Sequence, residues 1–219
     1  MAKISYQFKF IIIGDSNVGK TTLLQNFVDR NNEKKDNHIQ STLGLDILYA
    51  SINRGDKRVF LELVDTAGTE KYNSILQCNS IYKGAQGIIF VYDVTNKGSF
   101  LNVKNLWINR IKSVFDEIKN YNIIIVANKI DIDEKERQVT IEEGQSLTNE
   151  YGLPYIMMSA LYKDTLELPF IHLINNIFEN EKDIIDDKQK IVKEPVIKLD
   201  YDYTKYDNIN KEKEECGKC

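Results

Sequence analysis

The sequence predicts an α/β fold: six strands in a mostly parallel sheet with one antiparallel edge strand, and helices on both faces. Three observations point there. Two continuous apolar runs, 87–94 (GIIFVYDV) and 122–127 (NIIIVA), have the composition of strands buried on both faces. Strand-like and helix-like segments alternate along most of the chain. One early pair of strand-like segments is joined by Asn53-Arg54-Gly55-Asp56, a hairpin turn suited to positive φ at Gly55, and this pair supplies the antiparallel member.

The elements follow in order. Residues 6–13 read as a first strand and 20–29 as a first helix. Residues 30–40 carry Asn31, Asn32, Lys34, Lys35, Asp36 and Asn37 and read as a loop. Residues 45–52 and 58–64 form the hairpin, and 65–83 begin as a loop and turn helical. Residues 99–118 are amphipathic, with Phe100, Val103, Trp107, Ile111, Val114, Phe115 and Ile118 near one face. A helix over 140–151 has Glu142 and Glu143 in its first turn, which suits the helix dipole. A short strand over 154–159 precedes a last helix over 165–179, whose stripe is Leu166, Phe170, Leu173, Ile174 and Ile177. Pro169 falls in its early turns, where a missing N–H costs least.

Composition narrows the class. The 219 residues carry a formal net charge of −4, which argues against general nucleic-acid binding. Three cysteines (Cys78, Cys216 and Cys219) make no disulfide framework and suit a reducing compartment. The N-terminus lacks the apolar run of a signal peptide, and no stretch approaches the ~20 apolar residues of a membrane span.

The chemistry is concentrated in 8–24, FKFIIIGDSNVGKTTLL. A strand meets Gly14, and Gly19, Lys20 and Thr21 open a helix, so Gly-x-x-x-x-Gly-Lys-Thr sits in the strand–helix context that a phosphate-binding loop needs. Backbone N–H groups from Gly14 through Asp15, Ser16, Asn17, Val18 and Gly19 to Lys20, with Thr22 just beyond, can surround a phosphate chain, and the helix dipole adds to them. Lys20 would neutralise the β- and γ-phosphates, and the Thr21 hydroxyl would ligate Mg²⁺. This is the P-loop of a nucleoside-triphosphate-binding fold, and ligands in such sheets sit at the carboxyl ends of the strands.

Two further motifs fall on those ends. Asp65-Thr66-Ala67-Gly68 follows the third strand: Asp65 can hold Mg²⁺ directly or through water, and Gly68 lets a backbone N–H approach the γ-phosphate. Asp65 or Thr66 as a helix N-cap is the competing reading. Asn128-Lys129-Ile130-Asp131 follows the fifth strand. The Asp131 carboxylate can accept from guanine N1–H and from its 2-amino group, whereas adenine offers no donor at that ring nitrogen. Lys129 could lay its stem across the base. A solvated turn is the alternative, since Asp133, Glu134, Lys135, Glu136 and Arg137 follow. Ser159 and Ala160, followed by Leu161, would supply a backbone N–H to the guanine oxygen.

These pieces in this order resemble the Ras superfamily of small GTPases over about 6–179, and within it a Rab. The residues behind the second step are Gly14-Asp15-Ser16, Thr42-Leu43-Gly44-Leu45-Asp46, Tyr82-Lys83-Gly84-Ala85, Val91-Tyr92-Asp93-Val94-Thr95, Ser99-Phe100 with Trp107, and the C-terminal cysteines. The resemblance implies a GTP/GDP switch with Mg²⁺, working on vesicles from the cytosolic face of an endomembrane. Its partners would be an exchange factor, a GTPase-activating protein, effectors reading 30–52 and 65–84, a GDP-dissociation inhibitor and prenylation machinery. Thr42 would be the switch threonine that closes onto Mg²⁺ and the γ-phosphate.

The chain departs from that pattern at four places. Thr69 stands where the family carries the Gln that orients the attacking water, so slow hydrolysis is expected and Thr69 is at most a weak catalytic candidate beside Lys20. A chain that stays GTP-loaded as an effector scaffold is the second reading. No Phe, Tyr or Trp lies between Phe27 and Tyr49, so His38 is the sole flat ring available over the base from the first switch. The surface aromatic triad is replaced by Ile47, Val64 and Ile81. Both switch regions are a few residues longer than in typical Rabs. Leu161 also replaces a Lys, at little cost because the backbone does the reading.

Residues 1–180 therefore read as the GTPase domain, and 181–219 as a disordered tail. From Glu179 onward there are twelve acids against nine bases and no sustained apolar stripe. The tail ends Cys216-Gly217-Lys218-Cys219, which resembles a Rab prenylation site and would anchor the chain to a membrane through lipid on Cys216 and Cys219. A metal or redox C-x-x-C pair is the rival reading.

Overall fold

The first strand, β1 (Ile4–Ile13), takes the centre of the sheet because nearly every residue in its second half is apolar. In the computed structural model, residues 4–31, 38–40, 46–55, 57–66, 81–114 and 121–186 are described. In chain order the elements are β1, α1 (Lys20–Asn31), β2 (His38–Gln40), β3 (Asp46–Arg54), β4 (Lys57–Asp65), β5 (Gly87–Asp93), α2 (Lys97–Asn102, continuing through Val103–Trp107 and Ile108–Val114), β6 (Asn122–Asn128), α3 (Ile141–Tyr151), β7 (Tyr155–Met157) and α4 (Leu168–Asp186). The sheet order is β2-β3-β4-β1-β5-β6-β7.

β1 pairs in parallel with β4 and β5, β5 with β6, and β6 with β7. The hairpin pair β3–β4 is antiparallel, as expected, with Gly55 at φ 58 in its turn. The expected sheet gains a seventh member. Residues 38–40, in the stretch read as loop, form the three-residue β2, which pairs antiparallel with β3 and takes the edge. β3 remains the single strand running against the others. Polar residues flank β2 and it is too short to show an alternation, so nothing in the pattern separates it from a loop.

Other boundaries move by a few residues. α1 runs on through Asn31, two residues beyond the expected end. α4 starts at Leu168, so Pro169 occupies its second position, where no N–H is required. It continues to Asp186, past the expected end of the domain. By contacts the chain divides into Met1–Ile177 and Phe178–Cys219, and the last turns of α4 are the described part of the second unit. Residues 67–80 and 115–120, expected to be wholly or partly helical, lie outside the described residues, as does the tail from 187. No described helix is long and apolar enough to cross a membrane.

Every residue of β5 is buried, and β6 is buried from its second residue on, as their apolar runs require. α3 is delimited by chemistry legible in the sequence: Thr140 and Glu143 form a reciprocal capping box, and Gly152 closes the helix in the left-handed region. Between α1 and α4 the rings of Phe27 and Phe170 stack with centroids 3.8 Å apart, both fully buried. Phe170→Leu is expected to lower the unfolding free energy by about 1–2 kcal/mol, through lost burial and ring contact. A urea titration reads this as a lower midpoint at unchanged slope.

α2 contains an irregular turn. At Val103–Trp107 it widens to π geometry, with the Ile108 N–H donating to the Val103 carbonyl. Trp107 and Ile108, adjacent in sequence, both become core residues. Such insertions inside α-helices are frequent at functional sites.

Candidate nucleotide site

β1 ends at Ile13, and Gly14 turns the chain under β5. A Cβ at Gly14 would lie 2.2 Å from the Val91 carbonyl oxygen, so no side chain fits there. The loop then reaches Asn17 at φ 64 and Gly19 at φ +96 before α1 begins at Lys20. Asn is among the few non-glycine residues that adopt the left-handed region readily. Lys20 is 2% exposed and turns back into the loop, donating to the Gly14 carbonyl at 2.8 Å and the Asp15 carbonyl at 2.6 Å. A single ammonium thus sits against the loop that would hold a phosphate chain. Ser16, Asn17 and Thr22 are exposed, and Val18 is buried beneath the loop.

The Thr21 hydroxyl donates to Asp65 Oδ2 at 2.7 Å, joining the start of α1 to the end of β4. Asp65 is 1% exposed, and the neighbouring Thr66 is tied by its hydroxyl to the Ile12 carbonyl at 2.7 Å. A hydroxyl and a carboxylate in contact beside Lys20 are hard oxygen donors of the kind Mg²⁺ takes together with phosphate oxygens. The residues present therefore fit the expected ion, which Thr21 and Asp65 would hold. Thr42, Gly68 and Thr69 lie outside the described residues, as do Cys216 and Cys219.

The base end is built from β6 and the turn after β7. Asn128 is 1% exposed and bridges two loops: its Nδ2 donates to the Val18 carbonyl at 2.8 Å, and its Oδ1 accepts from the Ala160 N–H at 2.9 Å. The Ala160 N–H, expected to face a guanine oxygen, is thus engaged with Asn128. Asp131 Oδ1 accepts from the Ser159 hydroxyl at 2.5 Å, and that hydroxyl oxygen accepts from the Leu161 N–H at 3.1 Å. The carboxylate is oriented by one donor and keeps a second oxygen. Lys129 sits at φ 69, and its ammonium pairs with Asp93 Oδ2 at 2.7 Å. Asp93 is fixed in turn by the Thr95 N–H and hydroxyl, at 2.8 and 2.7 Å.

Of the sequence candidates, the P-loop, Thr21, Asp65, Asn128, Lys129, Asp131, Ser159, Ala160 and Leu161 are brought to the carboxyl ends of β1, β4, β6 and β7. Two residues of this neighbourhood carried no sequence signal. Asn26 on α1 donates to the Ala160 carbonyl at 2.8 Å and ties the base loop to the P-loop helix. Asn102 on α2 donates to Asp15 Oδ2 at 2.6 Å. Their partners lie 134 and 87 residues away, and no local pattern encodes such pairs. Asp93 and Trp107 belonged to the Rab resemblance, but their contacts with Lys129 and Asp15 were not foreseen.

A mostly parallel sheet with a P-loop, a Thr–Asp oxygen pair and an Asn-Lys-x-Asp turn at one rim defines a guanine-nucleotide-binding class of α/β protein. The sequence model of the Ras family matches residues 9–179. The chain is 40% identical over 177 residues to Ras-related protein Rab-1D of Dictyostelium discoideum, covering 81% of this chain and 82% of that one. It is 39% identical over 175 residues to Ras-related protein RIC1 of Oryza sativa subsp. japonica (78% and 81%), and 37% identical over 181 residues to Ras-related protein Rab-3 of Caenorhabditis elegans (83% and 78%). The chain belongs to the Ras family of small GTPases and is Rab-like within it.

Proposed function

We propose that this chain is a GTP/GDP switch regulating vesicle and membrane trafficking, with slow intrinsic hydrolysis. The observation that carries the reading is the Asp131–Ser159 pair, which presents an oriented carboxylate at the base end while Lys20, Thr21 and Asp65 gather at the phosphate end. A carboxylate so placed selects guanine, and Mg²⁺ held by Thr21, Thr42 and Asp65 would neutralise charge on the phosphates. The bound nucleotide supplies the scissile γ-phosphate. Lys20 would stabilise charge on it, and Gly68 would approach it with a backbone N–H.

Thr69 supports slow turnover. A Gln at that place both accepts from the attacking water and reaches the γ-phosphate, and the shorter Thr cannot do both. Thr69→Gln is expected to raise the single-turnover hydrolysis rate by roughly tenfold or more. Equal rates for the two chains would overturn this. The same Thr, with no switch aromatic over the base, favours a second reading: a chain that stays GTP-loaded as an effector scaffold. Nucleotide analysis of the purified protein with a hydrolysis time course separates the two, since a cycling switch accumulates GDP and a scaffold retains GTP.

The remaining expectations belong to this reading. Residues 1–180 act as the GTPase domain and 181–219 as a tail that lipid on Cys216 and Cys219 anchors to the cytosolic face of an endomembrane. An exchange factor, a GTPase-activating protein, effectors, a GDP-dissociation inhibitor and prenylation machinery are the partners, and nucleic acid is not. Of Ile47, Val64 and Ile81, expected as a surface patch in place of the aromatic triad, Val64 and Ile81 are buried in the core, which leaves Ile47 as the partly exposed member for an effector to meet.

A further inference from the structure

An acid at the second position of a phosphate-binding loop needs explanation, because its charge opposes the ligand the loop is built for. In this chain the Asp15 carboxylate is claimed at both oxygens by α2. Oδ1 accepts from Trp107 Nε1 at 2.8 Å and Oδ2 accepts from Asn102 Nδ2 at 2.6 Å. Asn102 immediately precedes the π turn and Trp107 is its last residue, 3% exposed. Residues five apart stand about 140° from each other on a regular helix, so the widened turn is what lets both reach one carboxylate. The Arg110 guanidinium lies 5.3 Å from the centre of the Trp107 ring and favours its present orientation. The main chain of the same residue is held from the other side, since Lys20 donates to the Asp15 carbonyl at 2.6 Å.

We propose that Asn102 and Trp107 are positioning residues for nucleotide binding, which hold the Asp15 carboxylate against α2 and away from the phosphates. The inference rests on the guanine-nucleotide reading of the site. With the two donors removed, a freed carboxylate would turn to donors of the loop itself, its N–H groups and the Lys20 ammonium, which are the groups a phosphate chain uses. A freed Asp15 therefore competes with the ligand for donors and repels it as well. The repulsion is greater for a triphosphate than for a diphosphate, and salt screens it.

The test measures release of fluorescently labelled GDP and GTP from the full chain in Mg²⁺ buffer, for wild type, N102A, W107F and D15N/N102A. N102A and W107F are expected to release nucleotide roughly tenfold faster, with the larger change for GTP and a smaller one at high salt. D15N/N102A is expected to recover most of the lost affinity, because a neutral amide neither repels phosphate nor competes strongly for its donors. Asn102 lies outside the apolar core, so N102A tests the proposal even if W107F fails to fold. Release within about twofold of wild type for N102A overturns the proposal, as does a loss that D15N leaves uncorrected, since that pattern belongs to packing and not to charge. A wild-type chain that binds no guanine nucleotide overturns the site reading and this proposal together; tight wild-type binding with unaffected variants overturns this proposal alone.

Discussion

Asp131→Asn is expected to weaken GTP and GDP binding by on the order of a hundredfold or more, with at most a small gain for ATP. The Ser159 hydroxyl already donates to one carboxylate oxygen at 2.5 Å, which leaves the other oxygen for an incoming base. Guanine fills that geometry with two donors. An amide in the same place offers one oxygen and one N–H₂ group, so at least one guanine donor meets another donor. Each lost charge-assisted hydrogen bond is worth ~1.5–3 kcal/mol, and the displaced donor adds its own desolvation cost. Adenine gains at most one hydrogen bond, from the new amide N–H₂ to its N1 acceptor, and its C2–H leaves the amide oxygen without a donor. Ser159→Ala removes an orienting group and not a base contact, so it is expected to cost less than D131N. Competition of labelled GDP by GTP and by ATP measures both chains. Retention of wild-type GTP affinity by D131N would show that Asp131 does not face the base.

The fold was legible wherever burial imposed a pattern. GIIFVYD is buried at every position, so its run had one reading, and the hairpin declared itself through Gly55. The start of α3 was legible through Glu142 and Glu143 in its first turn, and the capping box that Thr140 makes with Glu143 adds to that signal. β2 was not legible, because three residues against one neighbouring strand require no apolar face of their own. The π turn of α2 was not legible either, since a period-3.6 reading places Phe100, Val103, Trp107 and Ile111 on one stripe without needing the insertion. The candidate site divides in the same way. Lys20, Thr21, Asp65, Asn128 and Asp131 announced themselves because phosphate, Mg²⁺ and base chemistry restrict residue type and local spacing. The hydrogen bonds that tie these pieces to one another join distant segments through ordinary polar residues. Asn128 reaches Val18 across 110 positions, and neither residue advertises the other.

That cross-link makes Gly19→Ala a small substitution with a large expected effect. Gly19 holds φ +96, a conformation that costs an L-residue on the order of 1–3 kcal/mol. A Cβ there would also lie 2.4 Å from Asn128 Nδ2. That amide is not a loose end that can swing aside. It donates to Val18 while its oxygen accepts from Ala160, and it is buried. Moving it leaves buried backbone groups without partners on both the phosphate loop and the base loop, at ~1–3 kcal/mol each. One methyl group thus disturbs both ends of the ligand at once. Affinity for GDP is expected to fall by more than about a hundredfold, the sum of backbone strain and at least one broken link. The two causes separate in a double-mutant cycle with Asn128→Ala. N128A removes the clash but not the strain, so G19A is expected to cost less in that background than in the wild type. Equal costs in both backgrounds would assign the effect to the φ angle alone, and would mean that the Asn128 bridge yields to a methyl group without loosening the two loops it joins.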